Sequence, residues 1–116
     1  MKIVLHIGLH RTGTTALTVM LERARARLLR RGVRFESTAT IRQAVTAHLA
    51  AAASPAWTLG LSRARARSRI RDWAAAREAE GTRRLILSDE VIPGSMDRCL
   101  TPAGLYPEAA ARLTLL

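Results

Sequence analysis

Ile3-Val-Leu-His-Ile-Gly8-Leu-His-Arg-Thr-Gly13-Thr-Thr15 is the stretch that decides the fold. An apolar run ends in a glycine, four residues pass, and a second glycine is followed by two hydroxyl residues and a helical pattern. That is the order of a strand, a tight loop and a helix. Such a loop turns backbone N–H groups and the positive end of a helix dipole toward one point, which makes a cradle for an anion. A phosphate-like group is the expected occupant.

Outward from the loop, Lys2 to Ile7 has the composition of a buried strand in a parallel sheet covered on both faces. From Thr14 or Thr15 a helix is expected to about Arg31, with Leu17, Met20, Leu21, Ala24 and Leu28 forming one apolar stripe. Gly32 stands where a C-terminal cap belongs. Val33 to Phe35 suits a brief extended segment. A second helix is expected over Thr40 to Ala53 and is stopped by Ser54-Pro55. A third should run from about Ser62 to Glu80. Its alternating arginines resemble a strand pattern, but Ala66, Ile70, Trp73 and Ala74 fall on one side of a helix. Leu85-Ile86-Leu87 is a second buried strand, followed by Ser88-Asp89-Glu90. Pro93-Gly94 marks a turn, and Pro107 can open a final helix.

Strands separated by long helical connections predict an α/β fold, a P-loop-type parallel sheet with flanking helices. Two strands alone do not make such a sheet stable. Residues 1–116 are therefore expected to be the N-terminal part of a single α/β domain, with the C-terminal part of that domain as its missing partner.

The totals narrow the function. The chain has 116 residues, so it is at most one small domain. Its apolar fraction is 48%, much of it alanine, and the aromatics are only Phe35, Trp57, Trp73 and Tyr106. One cysteine, Cys99, forbids an internal disulfide and fits a reducing compartment. Neither a secretory signal nor an apolar run long enough to span a membrane is visible, so a cytoplasmic location is expected. The net charge is +10, carried almost wholly by arginine. A basic surface favours anionic partners, yet neither a nucleic-acid reading module nor a set of stacking aromatics accompanies it. Solvated arginine faces, rather than a nucleic-acid partner, are expected.

Gly8 and Gly13 have the spacing of a nucleoside-triphosphate P-loop, with one difference. The lysine that normally follows the second glycine is replaced by Thr14, and a cation stands upstream at Arg11. Without that lysine, triphosphate chemistry loses its main charge on the transferring phosphate. His-Ile-Gly-Leu-His-Arg-Thr-Gly-Thr-Thr-Ala-Leu resembles the 5′-phosphosulfate loop of sulfotransferases that use 3′-phosphoadenosine 5′-phosphosulfate, above all the bacterial form His-Lys-Thr-Gly-Thr-Thr. Ser88-Asp89-Glu90 is similar, more distantly, to the Ser-x-Glu that follows a later strand in that family. The likeness covers the first third of the chain and this short later segment.

The resemblance implies a co-substrate, 3′-phosphoadenosine 5′-phosphosulfate, and an acceptor hydroxyl or amine that attacks its sulfur in line. Arg11, Thr12, Gly13, Thr14 and Thr15 would bind it, with N–H groups from Thr12 to Ala16 on the 5′-phosphate and sulfuryl oxygens. Arg11 would also be catalytic, standing where the family has a lysine. A guanidinium keeps the charge but does not give up a proton. Ala16 replaces an adenine-stacking aromatic of many eukaryotic members. Glu90 is the second catalytic candidate, a general base just past a strand end; capping a short helix or pairing with Arg98 is the alternative. No metal is required, and no metal-ligand spacing is present.

Small-molecule, carbohydrate and lipid acceptors all remain open. The family's 3′-phosphate residues have no counterpart, so residues 1–116 are expected to be inactive alone. Another P-loop nucleotide-dependent, kinase-like enzyme would need magnesium, with Asp89 as its carboxylate. An Arg-rich module binding nucleic acid or another anion is the third possibility. The remaining polar residues have structural explanations: His6 in the buried strand, His10 shaping the loop, His48 facing solvent, Ser88 in a turn.

Overall fold

The computed structural model describes residues 1–8, 13–53, 60–102 and 104–116. Its elements are β1 (Lys2–His6), α1 (Thr14–Leu29), β2 (Val33–Phe35), α2 (Thr38–Ile41), a π-helical turn (Arg42–Thr46), α3 (Ala47–Ala53), α4 (Gly60–Ala79) and β3 (Arg84–Ser88). A 3-10 turn (Met96–Arg98), a hairpin of β4 (Leu100–Thr101) and β5 (Gly104–Leu105), and α5 (Ala109–Leu113) complete the order.

β1, β3 and β2 lie side by side in that order, all parallel, with Lys2 opposite Arg84, Leu5 opposite Leu87 and Phe35 opposite Ile86. The fold is mixed helix and strand around a three-stranded parallel sheet, compatible with α/β. Because β3 inserts between β1 and β2, the order differs from doubly wound sheets of the dinucleotide-binding and flavodoxin types, whose first two strands are neighbours.

Side chains alternate across the sheet. Leu85 and Leu87 face one way, into a core with Ile41, Val45, Leu49, Ala52, Ala66, Ile70, Ile92 and Leu115. Ile41 to Ile70 come from α2, the π turn, α3 and α4, Ile92 from the segment after β3 and Leu115 from just past α5, so the helices and the C-terminal segment cover one face. Phe35, Ile86 and Ser88 alternate to the other face, and α1 packs over β2. Glu36 follows β2 and is buried, with Arg77 of α4 at 3.0 Å, Arg34 at 3.8 Å and Arg25 of α1 at 3.9 Å. Buried carboxylates are tolerated when paired in this way. Arg77 also lies 4.8 Å from the Trp73 ring centre, a cation–π distance.

The brief extended segment expected over Val33–Phe35 is strand β2, paired with β3. Two expectations from the sequence need correction. β1 is not buried on both faces. It occupies an edge, Lys2 and Ile3 are exposed, and no strand pairs with its outer side among the described residues. The apolar stripe of α1 is also incompletely covered, with Met20 67% exposed, because three strands are too narrow to underlie the whole helix face. α4 is helical as expected, with Ala66 and Ile70 buried and the arginines from Arg63 to Arg71 exposed.

Arg42 and Thr46, the first and last residues of the π turn, both reach Asp89, which follows β3 and is buried. Such a local distortion is the kind seen where a helix serves a specific contact.

Candidate functional site

Gly8, Gly13, Thr14, His6 and Ser88 converge where β1 and β3 end. Gly13 has φ 81°, a left-handed conformation that glycine adopts without penalty. It turns the chain from the loop into α1, and its carbonyl accepts from the amides of Ala16 at 3.0 Å and Leu17 at 3.4 Å. The amide of Ala16 is therefore already engaged, which narrows the cradle expected over Thr12 to Ala16.

Thr14 is 7% exposed, and its hydroxyl oxygen has no hydrogen-bond partner among the described residues. Buried polar atoms are almost always paired, so an orphan hydroxyl in the first turn of a helix is an unmet demand at a point where the dipole already favours negative charge. Gly8 lies directly against it. A Cβ at position 8 would stand 2.4 Å from Thr14 Oγ1 and 3.0 Å from His6 Cε1. The first glycine of the loop is thus required by contact, the second by dihedral angle. Thr15 is exposed. Arg11 and Thr12, with Leu9 and His10, lie outside the described residues.

His6 and Ser88 are register partners at the ends of β1 and β3, and His6 Nδ1 and Ser88 Oγ share a hydrogen bond of 3.0 Å. Ser88 is not in a turn; it is the last residue of β3 and is 1% exposed. The bond ties the strand that carries the loop to the strand that carries Asp89 and Glu90. The sequence offered no signal for this pair, since the two residues are 82 positions apart.

Asp89 accepts from Arg42 Nη2 at 3.2 Å, from Thr46 Oγ1 at 3.1 Å and from its neighbour Val91 N at 3.2 Å. A buried carboxylate so occupied serves the packing of the π turn on β3, and it has little left to offer a magnesium ion. Glu90 is half-buried, and its carboxylate comes within 3.9 Å of Arg42. The side chain of Arg98 lies outside the described residues. Among the described residues no three of His, Cys, Asp and Glu gather in a way that could hold a metal ion. Nor is any described helix long and apolar enough to cross a membrane. Cys99 is a free, half-buried thiol.

No family model, curated protein or solved structure matches this chain.

Proposed function

We propose that the loop from Gly8 to Thr15 binds the 5′-phosphosulfate end of 3′-phosphoadenosine 5′-phosphosulfate, and that the chain is the loop-bearing part of a sulfotransferase. The observation that carries this reading is the buried Thr14 hydroxyl at the N-terminus of α1, which has no hydrogen-bond partner among the described residues. A bound oxyanion gives it the partner it lacks. Gly8 and Gly13 let the backbone come close enough to hold that anion, and the loop residues match the family form except at Arg11.

The co-substrate supplies an activated sulfuryl group that passes to a hydroxyl or amine acceptor, with 3′-phosphoadenosine 5′-phosphate as the leaving group. Thr14 and Thr15 donate to its oxygens. Arg11 sets a fixed positive charge beside the bridging oxygen and keeps its proton. Glu90, beside Arg42 at the sheet's carboxyl end, accepts the acceptor's proton. A small alcohol, a carbohydrate and a lipid all satisfy this chemistry.

A nucleotide-dependent kinase-like enzyme is less well supported, because the carboxylate it needs for magnesium, Asp89, is buried and shared between Arg42 and Thr46.

Calorimetric titration with 3′-phosphoadenosine 5′-phosphate, against ADP with magnesium, tests the proposal. Preference for the first ligand, lost on Arg11→Ala, is the expected result. Equal or tighter binding of ADP with magnesium, or an affinity indifferent to Arg11→Ala, overturns it.

A further inference from the structure

The opposite end of the sheet carries a second cluster of cations. A cleft of about 350 Å³ opens where the three strands begin, lined by Lys2, Arg31, Gly32, Val33, Arg83 and Arg84. Each ionisable side chain in that lining is a cation. Lys2 and Arg84 are register partners on neighbouring strands, and like charges in that relation repel.

One of the four has a structural explanation. Arg83 Nη2 donates to the carbonyl of Arg31 at 2.9 Å, at the negative end of α1. Lys2, Arg31 and Arg84 have no carboxylate partner among the described residues. The acidic residues nearest in sequence are already taken: Glu78 pairs with the N-terminal ammonium and Glu80 with Arg34. The backbone beneath the cluster is tightly held. The amides of Arg83 and Arg84 both donate to the carbonyl of Gly32, at 2.9 and 3.1 Å, and the amide of Lys2 donates to the carbonyl of Arg83 at 3.0 Å. The fold therefore fixes four positive side chains around one concavity at a cost in self-repulsion.

We propose that this cleft binds a di- or triphosphate group, free or carried on a nucleotide, at a site separate from the Gly8–Thr14 end. Its volume lies at the small end of ligand sites. Guanidinium forks grip closely spaced oxyanions in pairs, and an ammonium adds a point charge. Among the described residues no aromatic side chain lines the cleft, which gives them no platform for stacking nucleic-acid bases. With β1 five residues long, the cleft stands about 13 Å from the His6 end of that strand.

Titration of the 116-residue chain with inorganic triphosphate, followed by amide NMR shifts, tests the inference. Shifts at residues 2, 31–33 and 83–84 are expected. Lys2→Gln with Arg84→Gln should weaken binding at least tenfold, and log affinity should fall linearly with log salt. The same double variant should melt at the same or a higher temperature without phosphate, because it removes repulsion and no contact. ATP in place of triphosphate separates the two sources: equal affinity means that the phosphates alone are read, and tighter binding means that the nucleoside contributes as well. Either result supports the site. Shifts confined to residues 8 and 13–17, or affinity unchanged in the double variant, overturn it. The loop's own ligand is followed separately, at Gly8 and Gly13, so failure of the cleft and failure of the loop are read at different residues.

Discussion

Gly8 and Thr14 touch across the loop: a methyl group on Gly8 would stand 2.4 Å from Thr14 Oγ1, well inside contact distance. The glycine leaves room for a hydroxyl that has no hydrogen-bond partner among the described residues, and the proposed anion site rests on that pairing.

Thr14→Val should raise stability and lower affinity together. Valine keeps the branched shape and removes a buried oxygen with no partner among the described residues, a gain of about 1 kcal/mol, or about 4 °C in Tm for a domain of this size. The same change should weaken binding of 3′-phosphoadenosine 5′-phosphate about tenfold or more, the loss of one charge-assisted hydrogen bond. Thermal melting and calorimetry on one pair of samples check both signs. A variant that is less stable and binds normally would show that the hydroxyl serves the fold.

Gly8→Ala should displace the Thr14 hydroxyl and crowd the His6 ring, whose Cε1 would lie 3.0 Å from the new methyl. A loss of about 1–3 kcal/mol is expected for such overpacking, together with loss of anion binding. Denaturant unfolding and ligand titration measure the two effects.

Arg42→Met and Asp89→Asn should differ in cost although they break one pair. Asp89 is buried, whereas the Arg42 side chain is half exposed. Removing the arginine strands a buried carboxylate, for which about 3–5 kcal/mol is expected. Removing the carboxylate's charge leaves an amide oxygen that still accepts from Thr46, and an arginine that turns to water. About 1–2 kcal/mol is expected there. Chemical denaturation of the two variants tests the order, and equal losses would refute it.

Glu90→Gln should change stability by less than about 0.5 kcal/mol, since its contact with Arg42 is long and partly solvated. Binding of 3′-phosphoadenosine 5′-phosphate should be unchanged within twofold. Melting and titration on the variant check this, and a large loss of either would make Glu90 a structural residue.

Much of the architecture was legible in the sequence. The Gly8 and Gly13 punctuation and the apolar run before it gave β1 and the start of α1, and Ala66 and Ile70 gave the buried face of α4 against an alternating pattern of arginines. β2 was legible only as a brief extended segment, because three residues show no period. The π turn was hidden, and so was the contact of its Arg42 and Thr46 with Asp89, more than 40 positions away.

The local order of strand, loop and helix, with glycines where the backbone must turn or approach closely, is set by the sequence alone, because sterics and dihedral preference act over a few residues. Three matters were decided only in the folded chain: the place of β3 between β1 and β2, the His6–Ser88 bond, and the neighbouring Lys2 and Arg84. Each depends on strand order, which brings residues some 80 positions apart side by side, and no local preference encodes that. The same packing took Asp89 away from solvent and left Glu90 partly exposed.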